Sequence, residues 1–307
     1  MLSRRSFAAL VLVFVSLVFV LNHRAGQLSV RPPSSSLDNA PVPPSPDVDA
    51  SPQEPDLTNS TTSDPAVESL LDRPPDGLCD TFPDTSGILL VIKTGASEAF
   101  QKIPIQLMTT LKCLPEFLIF SDMEQRIAGH RIRDSLDTVL QEAKDKNSDF
   151  DIYRRQQKCQ VDLESCIAND AQNTKDAWEL DRYKFIHIAE KAYTLRPDYN
   201  WYVFIDADTY VLWYTMVQWL QQLDHRDKHY LGSISTLRGI PFGHGGSGYI
   251  VSKAAMEEFV GRHPGVANEW DVSMKRTCCG DYVFALAMEK SANTTIRGTV
   301  SGLYRCC

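Results

Sequence analysis

The sequence predicts an α/β domain with a mostly parallel central sheet, preceded by a single transmembrane helix and a disordered stem. Three observations lead there. Short apolar runs alternate with segments of helical periodicity in the C-terminal part, a proline-rich acidic stretch precedes them, and an apolar segment follows two arginines near the N-terminus.

Residues 7–21 read FAALVLVFVSLVFVL, apolar throughout except for Ser16. A full membrane span takes about 20 residues and a signal-peptide core about 10 to 14, so this run falls between them. No small-x-small cleavage site follows Leu21, which favours an uncleaved anchor over residues 7–22, with a cleaved signal peptide as the alternative. Arg4 and Arg5 put residues 1–6 in the cytosol and the bulk of the chain in the lumen. The expected location is therefore a secretory-pathway membrane such as the Golgi, in a single-pass type II orientation.

Residues 23–78 form the predicted stem. Eleven of the seventeen prolines lie between Pro32 and Pro75 among Ser, Thr and Asp, a composition that cannot bury enough apolar surface to offset its ordering entropy. Nine acidic residues between Arg31 and Asp76, against two arginines, supply −7 of the net charge of −8. The remainder is close to neutral. With no basic stripe to neutralise phosphates, a nucleic-acid partner is not expected.

All eight cysteines (Cys79, Cys113, Cys159, Cys166, Cys278, Cys279, Cys306 and Cys307) follow the membrane segment, where disulfides are the default. They allow on the order of 100 pairings, so no map is chosen; Cys159 with Cys166 is the most local candidate. No Cys-x-x-Cys spacing supports zinc. Asn59 and Asn293 stand in luminal sequons that could carry glycans.

A globular domain is expected over residues 79–307. Ile88 to Ile92, bounded by Gly87 and Lys93-Thr94-Gly95, reads as a buried strand, and Phe117 to Phe120 as a second. Between Asp176 and Tyr193, Trp178, Phe185, Ile186, Ala189 and Tyr193 recur at helical spacing until Arg196-Pro197-Asp198 ends the helix. Trp201 to Ile205 is a third strand, and Met216, Leu220 and Leu223 mark a further helix. Alternation of this kind implies a sheet covered on both faces.

Three stretches carry chemistry. The strand WYVFI ends in Asp206-Ala207-Asp208, two carboxylates that repel unless a cation sits beside them. Hard divalent ions take such oxygen ligands and bridge to phosphates. A strand-end turn is the alternative. Phe242 to Tyr249 holds four glycines, including Gly245 and Gly246, which suits close backbone approach to a ligand or a tight bend. A helix is expected to follow, through Ser252, Met256 and Phe259. Asp281, after Cys278-Cys279-Gly280, stands where an N-cap would, and otherwise reads as a general base.

Taken in order, Lys93-Thr94-Gly95, Leu180-Asp181-Arg182-Tyr183-Lys184, Asp206 to Tyr210, Gly245 to Tyr249 and Cys279-Gly280-Asp281 resemble glycosyltransferase family 31. These are the inverting β-1,3-transferases that include fringe and core 1 galactosyltransferase, and the chain looks closest to fungal members. The resemblance covers about residues 85–307. It implies a GT-A nucleotide-sugar-binding fold, a UDP-sugar donor, a glycan or glycoprotein acceptor and Mn2+ or another divalent cation. It further implies that Asp206 and Asp208 hold the metal and Asp281 is the base. Lys93, Thr94, Arg182, Asp206, Gly245 and Gly246 would then bind the donor.

Two departures stand out. Ala285 occupies a position where the family usually has Gly, and the seven histidines all precede Asp281, whereas the family's third metal ligand is a histidine nearer the C-terminus. A chain truncated after Cys307 is the favoured explanation; completion of the metal shell by water or donor phosphate and an impaired enzyme are the others. Phe204 to Thr209 also resembles the opening of haloacid dehalogenase phosphatases, but no later paired acidic motif with an upstream lysine follows. A luminal glycan- or nucleotide-sugar-binding protein without turnover is the second rival.

Overall fold

The computed structural model describes residues 77, 79–109, 111–158, 171–298 and 303–305. The expected tail, the anchor at 7–22, Asn59, the Cys159–Cys166 pair, Cys306 and Cys307 lie outside these residues, as does all of the stem except Gly77. Among the described residues no helix is long and apolar enough to cross a membrane.

In chain order the first half comprises β1 (Ile88–Lys93), α1 (Ala99–Met108), β2 (Phe117–Ser121), β3 (Gln125–Ile127), β4 (His130–Asp134), α2 (Gln141–Lys144) and α3 (Asp151–Lys158). Next come α4 (Ala171–Asp181), α5 (Lys184–Leu195), β5 (Trp201–Asp206), β6 (Thr209–Val211), α6 (Trp213–Leu220) and β7 (Tyr230–Gly232). The last part holds β8 (Ile234–Leu237), β9 (Ile240–Gly243), β10 (Tyr249–Ser252), α7 (Lys253–Met256), α8 (Asn268–Met274), α9 (Gly280–Ala292), β11 (Arg297–Gly298) and β12 (Leu303–Arg305).

A mixed eight-stranded sheet in the order β11-β7-β10-β5-β1-β2-β4-β3 forms the centre. The inner strands β5, β1, β2 and β4 run parallel, and β10 enters antiparallel beside β5. Alternation along the strands divides the core between two faces. Leu89, Val91, Tyr202, Phe204 and Val251 pack with α5, α7 and α9, while Leu90, Ile92, Val203, Ile205 and Ile250 pack with α1 and α6. Helices on both faces explain why these strands are continuous apolar runs.

The three expected strands are present, each one residue longer at its carboxyl end. The helix expected across Asp176–Tyr193 is instead two, α4 and α5, separated at Arg182-Tyr183. Tertiary ties hold that break: the Tyr183 hydroxyl donates to Asp149 (2.9 Å) and accepts from Asn147 (2.9 Å). Trp178, expected on the buried face, is 59% exposed. The helix after the glycine stretch begins at Lys253, with the Ser252 hydroxyl accepting from the Ala255 amide as its cap, and closes in a π-turn over Glu257–Gly261.

A disulfide between Cys79 and Cys113 ties the start of the domain to the turn before β2, a pairing that the spacing alone does not select. Adjacent Cys278 and Cys279 are joined to each other just before α9.

Candidate functional site

The carboxyl ends of β5, β1 and β2 lie side by side, which is where open α/β sheets gather ligands. Asp206 ends β5 and is the register partner of Lys93, which ends β1. Lys93 Nζ lies 3.0 Å from Asp206 Oδ1, close enough for an ion pair, but its well-directed hydrogen bonds go to the carboxylate of Asp181 at 2.7 and 2.9 Å. Asp206 Oδ1 is buried with the Lys93 ammonium beside it. The Phe185 ring sits 4.7 Å from the same ammonium. Burial works against the charge on Lys93, but Asp181 and Asp206 outweigh it and hold the ammonium above its usual range.

Behind Lys93 lies a second buried cation. Lys184 Nζ is 3.1 Å from Asp122 and 3.3 Å from Asp181, and donates to the Thr94 carbonyl. Asp181 is pushed up by burial and pulled down further by Lys93 and Lys184, so it stays ionised. Lys93, Asp181, Lys184 and Asp122 therefore alternate in sign beneath the strand ends.

The turn after β5 is held from the other face. Gln106 of α1 donates through Nε2 to the carbonyls of Ala207 (2.8 Å) and Thr209 (3.0 Å). Lys102, one turn earlier, places Nζ 3.3 Å from Asp208 Oδ2 and 2.7 Å from Glu98 Oε2. Strand β12 runs antiparallel to β6, with Arg305 in register opposite Thr209.

The glycine stretch meets this turn directly. Thr209 Oγ1 donates to the Gly246 carbonyl at 2.8 Å. His244 caps the short 3-10 turn Gly245–Ser247, its ring nitrogen accepting from the Ser247 amide. A side chain at Gly245 would place its Cβ 2.6 Å from the Phe185 ring, so the close approach requires glycine.

Asp281 is not an N-cap. Cys279 takes that position with no side-chain bond, and Asp281 lies in the first turn of α9. Its carboxylate instead accepts from the Gly245 amide at 2.9 Å and from the Tyr282 amide at 2.8 Å. Burial raises the Asp281 carboxyl above its ordinary value, against the pull of those two amides, His244 and Lys93. Gly280 before it packs against Phe185 and the Arg182 backbone so tightly that any Cβ would overlap them.

A narrow pocket opens among these elements, lined by Lys93, Asp206, Gly245, Phe185 and Tyr249 with apolar residues of β1, β5 and α5. Thr94, Arg182, Asp208, Gly246 and Asp281 do not line it. Thr94 is buried at the end of β1, and Arg182 donates to the Glu179 and Thr277 carbonyls, tying α4 to the segment before α9. Asn293 is exposed at the C-cap of α9.

The acidic pair fits a hard divalent cation. Their carboxylate oxygens are the ligand type such ions take, and ammonium groups stand beside both where a positive charge is wanted. Among the described residues no third His, Cys, Asp or Glu joins them in a metal-holding group.

Sequence reasoning missed Glu98, Lys102 and Gln106. They stand four residues apart, Glu98 at the N-cap of α1 and Lys102 and Gln106 within it, and that i, i+4, i+8 polar line was the available signal. No family model and no curated protein matches this chain.

Proposed function

We propose that the protein is an inverting, metal-dependent glycosyltransferase of the family 31 type with a GT-A fold. It moves a hexose from a UDP-sugar to a glycan or glycoprotein hydroxyl, in β-1,3 linkage, from a type II position in a Golgi membrane. One observation carries this reading. Asp206 pairs with Lys93, Thr209 with Gly246, and Gly245 with Asp281, so motifs far apart in sequence meet at one strand edge.

Asp281 takes the proton from the acceptor hydroxyl as that oxygen attacks the anomeric carbon from the face opposite the diphosphate. The bond to UDP breaks as the new C–O bond forms, and a single displacement inverts the configuration. The raised Asp281 carboxyl makes a stronger base than an ordinary carboxylate. Asp206 and Asp208 would hold a divalent ion, which would supply neutralisation of the charge on the leaving diphosphate. Lys93 and Asp181 fix Asp206 in orientation, and the Gly245 amide fixes Asp281.

The test follows UDP release by the purified full chain across a panel of UDP-sugars, with manganese, with EDTA, and in Asp208→Ala and Asp281→Ala variants. Manganese-dependent turnover lost in both variants is expected. Turnover that survives Asp281→Ala, or release of inorganic phosphate from phosphomonoesters instead, overturns the reading. Metal-dependent UDP binding without any turnover would make the chain a binding protein.

A further inference from the structure

Lys102 has no part in the chemistry above, yet it touches the acidic motif. It sits on the flank of α1 with its side chain 31% exposed, beside Asp208 at 25%. Its ammonium bridges two carboxylates, at 2.7 Å from Glu98 and 3.3 Å from Asp208. Glu98 is itself anchored, since its Oε1 accepts the Gly95 amide at 3.1 Å. If the ammonium left Asp208, it would keep its closer partner one helical turn back.

We propose that Lys102 is a displaceable counter-cation, holding Asp208 in the metal-free protein and withdrawing onto Glu98 when a divalent cation binds Asp208. The inference rests on the reading of Asp206 and Asp208 as a metal-holding pair. An ammonium and a divalent ion on one carboxylate repel each other, so one must yield. Lysine is suited to yielding, being a point charge on a flexible stem with no fixed fork geometry. The contrast with Lys93 sharpens the assignment. That lysine is 12% exposed and bonded to Asp181 through both carboxylate oxygens, whereas Lys102 has its longer contact to the motif and its shorter one elsewhere. Metal affinity is then set by competition, and removing the competitor strengthens it.

The experiment measures Mn2+ binding without nucleotide, from the electron paramagnetic resonance signal of free Mn2+, on the full chain. Wild type is compared with Lys102→Met, Lys102→Gln, Lys102→Arg and Asp208→Ala, each checked for folding by circular dichroism. Both neutral variants are expected to bind Mn2+ about three- to fivefold more tightly than wild type, the range that a partly exposed ion pair supports. Lys102→Arg, which keeps the charge, is expected to stay within about twofold of wild type, and Asp208→Ala to lose binding. Equal or weaker binding by the neutral variants, with Asp208→Ala still deficient, overturns the counter-cation while leaving the metal pair standing. Absence of Mn2+ binding in wild type and the Lys102 variants alike, or full binding by Asp208→Ala, overturns the metal pair and this inference with it.

Discussion

Asp206 and Asp208 are separated by one residue, and each faces a lysine, but the two pairs are built on different foundations. Lys93 and Asp206 are register partners on adjacent parallel strands, so the sheet itself sets their spacing. Asp181 grips the same ammonium, Phe185 closes over it, and the lysine side chain is only 12% exposed. Lys102 instead reaches across from the flank of α1 to the turn, with its second partner, Glu98, 41% exposed. Coulomb attraction falls steeply as solvent enters between charges, so the second pair is the weaker one. A strand edge fixes a charge where it must not move, while a helix flank supplies one that can be exchanged. Asp281 belongs with the first group, because it is buried and held by a backbone amide of the glycine turn.

The largest expected effect tests whether the buried side carries the chemistry. Asp281→Asn should lower turnover about 10²- to 10⁴-fold, the usual yield of a positioned acid or base. Steady-state UDP release measures it, and a loss of under about tenfold would place the base elsewhere. The same variant has a stability signature with a definite sign. Burial raises the native Asp281 carboxyl above its unfolded value of 3.8. Its favourable contribution is therefore present below 3.8 and is lost as pH rises through the native pKa. Asparagine does not titrate, so denaturant melts across that window should show the stability difference moving in the variant's favour as pH rises. The acid limb of the wild-type rate profile should lie above pH 3.8 for the same reason.

Next comes the stability of the fixed pair. Lys93→Met leaves Asp181 and Asp206 facing each other without the intervening ammonium, with Lys184 still beside Asp181. Breaking a largely buried charge pair from one side should cost about 2–4 kcal/mol, read from urea denaturation. A cost below about 1 kcal/mol would erase the distinction between the two lysines.

How much of this was legible depended on distance along the chain. The strands at Ile88, Phe117 and Trp201 were readable because a strand buried on both faces is an apolar run, a local property. Asp206, Asp208, Gly245 and Asp281 were readable as short motifs. The interruption at Arg182-Tyr183 was not, because apolar spacing continues through it and the cause lies in remote contacts with Asn147, Asp149 and Thr277. Asp281 looked like a cap because it opens a helix; only the fold brings Gly245, 36 residues earlier, within reach of its carboxylate. Lys102 and Asp208 are 106 residues apart, and no periodicity links an ammonium to a carboxylate at that range. The pairing of β12 with β6 escapes for a similar reason, since three residues carry too little pattern to reveal a strand.

The smallest expected effect is the most discriminating for the comparison. Lys102→Met removes an ion pair of which both acidic partners remain in contact with water, so water can replace the ammonium at little cost. Methionine is also nearly as good a helix former as lysine, and the stem of the side chain is retained. The expected loss in urea denaturation is under about 1 kcal/mol. Salt separates the two lysines further. Raising ionic strength to about 1 M shrinks the Debye length to about 3 Å, which should abolish the difference between Lys102→Met and wild type. The Lys93→Met deficit should persist more fully under the same salt, because the Lys93 side chain is 12% exposed against 31% for Lys102. If the Lys102→Met loss matched that of Lys93→Met and resisted salt as well, Lys102 would be a fixed structural charge, and its withdrawal from Asp208 would be too costly to accompany metal binding.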